Sequence, residues 1–206
     1  MSDRLAPINN GPTVSAEEAA RLITDYYARN SAVWDLYDNF EPGPRDKFGP
    51  HDVLSLNALN AFGPRTPMGG MAGFWSNETA RRDATKALKA VTRVPVEKLD
   101  ARKLSAATAR LALVADTIKE HCRGSGFGDV ATAKLLHRMR PGLAAIYDTN
   151  VALHYPQHGW HDFYDAVAVD VLDRRDELRA AVKNCSRPSI SLVRAWDIVM
   201  WMTEPS

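Results

Sequence analysis

The sequence predicts an all-α protein built as a single helical domain. Apolar side chains recur at helical spacing in several long windows, and no window alternates apolar and polar residues as a strand would. The chain has 206 residues, 45% of them hydrophobic, which is enough for one well-buried core and too little for two. We therefore expect a flexible N-terminal arm, residues 1–14, and one α-helical domain over 15–206.

Capping and breaking residues divide the chain into successive helices. Ser15 followed by Glu18 is a capping box, and proline or glycine ends most of the apolar runs. The predicted helices cover residues 15–27, 50–62, 76–91, 104–122, 129–139, 160–183 and 191–202, and one more begins at 148. An apolar cluster over 33–40 ends at Pro42, and residues 41–50 are predicted to form a loop.

Two further stretches have unusual compositions. Residues 63–73 are rich in glycine and proline, which predicts either a packed surface loop or a mobile lid. The last predicted helix carries Trp196, Met200, Trp201 and Met202 at helical spacing, so we expect it to pack into the core.

Composition also narrows the class of protein. No apolar stretch approaches the roughly 20 residues that span a bilayer, and the first residues lack the basic and apolar regions of a secretory signal. Cys122 and Cys185 are the two cysteines, and a disulfide framework or a four-cysteine cluster is excluded by count. We expect reduced thiols, no contact with a membrane, and a cytoplasmic protein.

The net charge of +1 conceals a basic segment. Residues 102–140 contain eight basic and three acidic side chains, a local charge of +5, and the remainder of the chain is therefore −4. Such an asymmetry is typical of a protein with one phosphate-facing surface. The alternative is that these lysines and arginines simply coat helix exteriors.

The most informative stretch is GSGFGDVATAKLLHRMRPGLAAIYDTNV, residues 124–151. A Gly-rich turn separates two predicted helices and forms a helix-hairpin-helix over about 105–140. Gly126 and Gly128 can take positive φ, so the turn and the following helix N-terminus can present amides to a phosphate. A turn of this kind binds the DNA backbone without reading its sequence. The predicted DNA-binding residues are Gly126, Phe127, Gly128, Lys134 and Arg138.

With Pro141 and Asp148 in the following segment, these 28 residues resemble the helix-hairpin-helix (HhH-GPD) superfamily of DNA glycosylases. The resemblance implies that duplex DNA is the partner and that a base is flipped out of the helix. Asp148 matches the superfamily's catalytic aspartate, which stabilises the sugar cation as the N-glycosidic bond breaks and helps water attack C1′.

The sequence departs from that superfamily in three places. Bifunctional members carry a nucleophilic lysine where this chain has Val130, and Lys134 lies one helical turn further on, so we expect no Schiff-base lyase step. The iron-sulfur members need four cysteines, so we expect no cofactor. The turn also has Gly124-Ser125 where the superfamily usually has Leu-Pro.

Aromatic and histidine side chains supply further candidates. Four aromatic residues are candidates for stacking on an extruded base, with core packing as the alternative: Trp34, Tyr37, Tyr147 and Trp160. Three histidines have a spacing that superficially suits a metal: His154, His158 and His161. Because Pro156 and Gly159 break the helix that would align them, we expect no metal site.

Two functions follow from these observations. The first is a monofunctional DNA glycosylase with Asp148 as its catalytic carboxylate. The second is a non-catalytic DNA-binding or interaction protein on the same fold. A third possibility is structural only, because Gly-x-Gly between helices is often a turn and an Asp before a helix is often its N-cap. The recognised base and the oligomeric state stay open.

Overall fold

The computed structural model describes residues 11–29, 37, 45–56, 67–155 and 159–203. These residues form ten α-helices and one short 3₁₀ helix (Val96–Lys98), and they contain no strand. The prediction of an all-α domain is confirmed. The helices are α1 (Ala16–Arg29), α2 (Pro50–Ser55), α3 (Pro67–Trp75), α4 (Glu78–Lys89), α5 (Ala101–His121), α6 (Asp129–Met139), α7 (Thr149–His154), α8 (Trp160–Asp173), α9 (Arg175–Asn184) and α10 (Leu192–Met202).

Short-range hydrogen bonds explain where several of these helices begin. The Ser15 hydroxyl accepts the amide of Glu18 at 3.2 Å ahead of α1, and Ser191 accepts the amide of Arg194 at 3.0 Å ahead of α10. Pro50 is the first residue of α2, a position where a backbone N–H would have no acceptor within the helix, so proline costs no hydrogen bond there. The predicted starts near 15, 50, 129, 148 and 191 are confirmed.

The first and last helices of the chain pack together. α1 lies against α9 and α10, and α10 also contacts α7 and α8. α5 is flanked by α4 and α8, and α6 lies against α5 and α2. Contact between the two ends of the chain therefore closes one continuous hydrophobic core.

α6 is a deeply buried helix. Every residue from 131 to 140 is buried, including the basic side chains of Lys134, His137, Arg138 and Arg140. The Arg140 guanidinium donates to the carbonyl oxygens of Leu88 at 2.9 Å, Val91 at 3.2 Å and Met139 at 2.8 Å. Arg140 thus ties the end of α6 to the end of α4.

Burial removes three cations of the basic segment 102–140 from the protein surface. Lys134, Arg138 and Arg140 lie inside the protein, which leaves five exposed basic side chains against three acidic ones. One of the five, Lys119, forms an ion pair with Asp129 at 3.2 Å. Neither interpretation of the segment, a phosphate-facing surface or a coat on helix exteriors, holds for these three buried cations, and Arg138 and Arg140 bind protein carbonyl and carboxylate oxygens instead.

His137 makes the stability of this helix dependent on pH. Its Nδ1 lies 2.7 Å from the Ala144 carbonyl oxygen, and burial, helped by the charge of Arg194, lowers its pKa from 6.5 to about 3. The folded protein thus holds a neutral imidazole, whereas the unfolded chain takes up a proton near pH 6.5. The free energy of unfolding should be insensitive to this group above pH 6.5 and should fall as pH drops from 6.5 towards about 3.

We expect His137→Asn to reduce that acid sensitivity, since an asparagine amide can donate to Ala144 without titrating. Urea unfolding of wild type and variant, measured across this pH range, compares the two slopes. The other acids and bases are unchanged in the variant, so the difference reports His137 alone. Parallel pH dependences in the two proteins would contradict the prediction.

Three expectations about local structure need correction: those for residues 63–73, for residues 160–183 and for the N-terminal arm. Residues 67–73 are helical, in α3, because Met71 and Phe74 enter the core and Pro67 occupies the first position of the helix. The predicted helix over 160–183 is two helices, α8 and α9, separated at Arg174.

Residues 11–14 do not extend away from the domain. A Cβ built on Gly11 would lie 2.3 Å from the Trp196 ring and 2.8 Å from Asp170, and Val14 packs on the core. The expected flexible arm is therefore wrong for these four residues, because glycine permits close approach to α10. Residues 1–10 lie outside the described part.

Candidate functional site

A tight turn joins α5 to α6, as the sequence predicts. Gly124 and Gly126 have φ of 77° and 84°, in the left-handed region that favours glycine, and both are exposed. Gly128 has φ of −91°, so its predicted positive φ is wrong. It is instead the N-cap residue of α6, exposed, and its helix begins without a side-chain cap. Gly128 is thus exposed, whereas the first turn of α6 is half-buried at Asp129 and Val130 and fully buried at Ala131.

Phe127 points inward from this turn. Its side chain is 3% exposed and stacks on Phe74 of α3, with ring centroids 5.0 Å apart. The absence of a Cβ on Gly73 allows α3 to approach, since a Cβ there would lie 2.5 Å from that of Ser125. The Phe127 ring is therefore an anchor between turn and core, and its predicted side-chain contact with DNA is wrong.

The two predicted phosphate-binding glycines should differ in their tolerance of a side chain. Gly126→Ala places a Cβ on a left-handed residue and should lower the free energy of unfolding by about 1–2 kcal/mol. Gly128→Ala should cost much less, because its φ is ordinary and no atom lies within 4 Å of the added Cβ. Denaturant unfolding of both variants measures the difference, and equal losses would contradict the turn geometry.

The basic side chains predicted to bind DNA are also buried. Arg138 lies 3.4 Å from the Asp52 carboxylate and donates to the carbonyl oxygen of Tyr37 at 2.8 Å. Lys134 is 7% exposed. Neither side chain reaches the surface as a phosphate ligand would, so the prediction that they contact DNA is wrong, because α6 is an interior helix.

Lys134 instead faces a small pocket that contains Asp148. The pocket lies between α1, α6, α7 and α10 and encloses about 20 Å³, room for about one water molecule. Its lining residues are Tyr26, Lys134, Ile146, Asp148, Val151, Arg194, Asp197 and Trp201.

Asp148 has two roles in this geometry. One carboxylate oxygen, Oδ1, accepts the backbone amides of Asn150 and Val151, each at 3.1 Å, and so caps α7. The residue is half-buried and also lines the pocket. The carboxylate is therefore oriented by its own helix at the edge of a polar cavity.

Asp197 and Arg194 form the floor of the pocket. The Ile146 amide donates to both Asp197 oxygens, at 2.9 and 3.0 Å, and the Arg194 guanidinium lies 3.6 Å away. Arg194 also donates to the Tyr26 hydroxyl at 3.0 Å. Burial raises the pKa of Asp197, and the charge of Arg194 opposes that rise. This pair joins α10 to α1 and to the segment that leads into Asp148.

The remaining cation of the pocket is Lys134. Burial lowers its pKa, the charges of Asp148 and Asp197 oppose the shift, and that of Arg194 adds to it. Two carboxylates and two cations thus line one small pocket. Clusters of perturbed ionisable groups in a concavity are typical of functional sites, although structural ion pairs perturb pKa values too.

The four aromatic residues predicted to stack on a base differ in how far they are buried. Tyr37 is buried and donates to the Lys134 carbonyl at 2.8 Å, and Trp160 is buried and stacked on Tyr164, centroids 5.6 Å apart. Both rings are buried by the protein, so the prediction that they stack on a base is wrong. Tyr147, next to Asp148, is half-buried and keeps part of its surface exposed. Trp34 lies outside the described residues.

Sequence reasoning missed Arg194 and Asp197. Both were counted with a Trp- and Met-rich helix expected to form core, and Trp196 and Met200 of that helix are indeed fully buried. The available signal was a pair of charged residues inside an apolar helix, since buried charges are rare unless paired. Trp201, also expected in the core, is half-buried at the pocket.

The two histidines of this group that the structure describes, His154 and His161, do not form a metal site. His154 Nε2 lies 3.0 Å from the Met200 carbonyl oxygen and holds α7 to α10, whereas His161 is exposed. His158 lies outside the described residues. In the described ranges, no group of three His, Cys, Asp or Glu side chains has a geometry that suits a metal ion.

The described residues form an all-helical, single-domain protein with a small pocket lined by two carboxylates and two cations. The chain belongs to a family of unknown function, DUF6308, whose match covers residues 19–204. A comparison with curated proteins finds no match, and neither does a comparison with solved structures. None of the helices in the described residues is both long and apolar enough to cross a membrane.

Proposed function

We propose that this protein is a monofunctional DNA N-glycosylase in which Asp148 is the catalytic carboxylate. The observation that carries the proposal is the position of Asp148, half-buried at the edge of a polar pocket and oriented by two amides of α7. A preoriented carboxylate is the group that best meets positive charge developing on a sugar. The pairing of α5 and α6 through a Gly-rich turn is the second support.

The chemistry uses the pocket for water and leaves the base outside it. The pocket volume of about 20 Å³ accommodates one water and is too small for a nucleobase. In the proposed step the C1′–N bond breaks and its electron pair leaves with the base. The water oxygen then bonds to C1′, and Asp148 accepts the proton that this water loses. Tyr147 precedes Asp148 in the chain and is half-buried, but its ring packs against Trp160 and Phe163 and does not line the pocket.

Backbone amides supply the proposed contact with DNA. Gly124, Gly126 and Gly128 are exposed, and the first turn of α6 has no side-chain cap. The negative charge of Asp129 at this end is offset by Lys119, 3.2 Å away. Few exposed cations flank the turn, so we expect the contribution of this turn to the affinity for DNA to fall only modestly as salt is added. The logarithm of the binding constant should fall by about 0.9 per tenfold increase in salt for each phosphate neutralised.

The experiment is base release from a panel of lesion-bearing duplexes. The expected products are a free base and an abasic site, with strand scission appearing only after alkali treatment. Scission without alkali would contradict the monofunctional assignment. Absence of base release from every substrate would contradict glycosylase activity.

Two observations favour a second candidate, a non-catalytic DNA-binding protein. The pocket is small, and one Asp148 oxygen is engaged as a helix cap. Salt-dependent binding to duplex DNA without base release supports this candidate. If neither binding nor release occurs, the turn between α5 and α6 is structural only.

A further inference from the structure

The chain that follows α4 is held at two points against the end of α6. At the first point the Val91 carbonyl oxygen accepts the Arg140 guanidinium at 3.2 Å. At the second the Val96 amide donates to the Gly142 carbonyl oxygen at 2.9 Å. Arg93 lies between these two contacts, and it is exposed. The backbone that carries the Arg93 side chain therefore has a fixed place beside the end of α6.

Three more exposed cations lie at the same end of α4. The Arg45 carbonyl oxygen accepts the Arg140 guanidinium, which places Arg45 beside the end of α6. Arg110 of α5 donates to the Ala90 carbonyl oxygen at 3.2 Å, and Lys89 is the last residue of α4. We call the four exposed cations the α4-end patch: Arg45, Lys89, Arg93 and Arg110.

Few acidic side chains balance this patch. Residues 84–96 and 104–115, all of them described by the structure, contain four basic and no acidic side chains. None of the four patch cations forms an ion pair with a residue in the described part of the chain. Burial, helped by the charges of Arg93 and Arg45, lowers the pKa of Arg140 to about 10, and Asp46 opposes this shift. The electrostatic potential at this end of α4 is therefore positive.

We propose that the α4-end patch binds the phosphates of duplex DNA. This inference rests on the proposed function and adds a second contact with DNA, at the opposite end of α6 from the Gly-rich turn. α6 has 11 residues, so its two ends lie about 16 Å apart at about 1.5 Å per residue. The turn offers backbone amides with few cations, whereas the patch offers cations without carboxylates.

The arrangement of the patch favours a duplex as the partner. Its cations come from three separate segments of the chain, residues 45–47, 89–93 and α5. A duplex presents rows of regularly spaced phosphates, so it can contact all three segments at once. Such contacts position a protein on DNA without reading the bases. Binding through the patch should therefore be independent of DNA sequence.

The patch adds its own salt dependence to the modest one expected of the turn. Each cation that neutralises a phosphate releases counterions, and this steepens the fall of log K with log salt by about 0.9. If all four cations of the patch contact phosphates, the slope is steeper by about 3.6.

Single substitutions test the patch through binding to a lesion-free duplex, which needs no catalysis. Arg93→Gln and Lys89→Gln should each weaken binding to unrelated sequences alike and reduce the salt slope by about 0.9. Lys183→Gln, which removes an exposed lysine of α9, is the matched control and should change neither the affinity nor the slope. Fluorescence anisotropy of a labelled duplex over a range of salt concentrations measures both, and urea unfolding of each variant checks that the fold is kept.

The possible outcomes separate this inference from the proposed activity. Unchanged slopes in both patch variants would overturn it, because cations at a helix C-terminus also have a purely local role that leaves DNA affinity as it was. An equal loss in Lys183→Gln, or no binding of wild type to the duplex, would overturn it as well. Tighter binding to phosphatidylserine vesicles than to DNA, lost in the same variants, would assign the patch to a membrane surface instead. Reduced slopes in the patch variants without base release from any lesion contradict the glycosylase function and support the patch.

Discussion

Asp148→Asn should lower the rate of base release by about 10²–10⁴-fold and leave the fold intact. Asparagine is as good an N-cap as aspartate, and its side-chain oxygen can still accept the amides of Asn150 and Val151. The substitution therefore removes the negative charge and the proton acceptor while the start of α7 is kept. Single-turnover base release from the best substrate of the panel is the measurement.

The chain offers a matched control for this change. Asp100 caps α5 in the same way, with its Oδ1 accepting the Lys103 amide at 2.9 Å, and it does not line the pocket. Asp100→Asn should leave the rate unchanged. Asp148→Ala should lose activity and also about 1 kcal/mol of stability, because the cap is gone. Base release by Asp148→Asn at the wild-type rate would show that Asp148 is not the catalytic carboxylate.

Arg140→Met should lower the free energy of unfolding by about 3 kcal/mol or more. Its buried guanidinium donates to the carbonyls of Leu88, Val91 and Met139, and hydrogen bonds to charged groups contribute about 1.5–3 kcal/mol each. Methionine keeps most of the aliphatic volume, so the loss reports the hydrogen bonds. Natural domains are stable by only about 5–15 kcal/mol, so the variant approaches unfolding at moderate temperature.

Arg110→Met is the control for that prediction. Arg110 is exposed and donates to the neighbouring Ala90 carbonyl at 3.2 Å, so both arginines bind the end of α4. A surface substitution of this kind should change stability by less than about 0.5 kcal/mol. Urea unfolding followed by helical circular dichroism compares the two. Similar losses of unfolding free energy in the two variants would show that burial does not determine how much these hydrogen bonds stabilise the protein.

Local sequence signals were sufficient for the helices and for one property of the site. Ser15 and Ser191 mark helix starts through hydrogen bonds only three residues long, and Asp148 was recognisable as an N-cap for the same reason. The turn between α5 and α6 was predictable, but Gly124 takes positive φ and Gly128 does not. A sequence with several glycines does not specify which of them adopts the positive φ that the turn requires.

Side-chain direction was not predictable from residue type. Lys134 and Arg138 were expected at a surface because lysine and arginine usually lie there, yet both are buried in α6. Asp52, which pairs with Arg138, lies on α2, and Asp197, which lines the same pocket as Lys134, lies on α10. No local pattern brings such residues together.

By itself the sequence determined an all-helical domain, most helix boundaries, and a carboxylate at position 148 that begins a helix. These features depend on periodicity, capping and chain breaks within a few residues. Only the tertiary structure decided that α6 is an interior helix and that Asp148 shares a pocket with Lys134, Arg194 and Asp197. A charge can be buried only where opposite charges or carbonyls meet it, and those are supplied by packing between helices far apart in the chain.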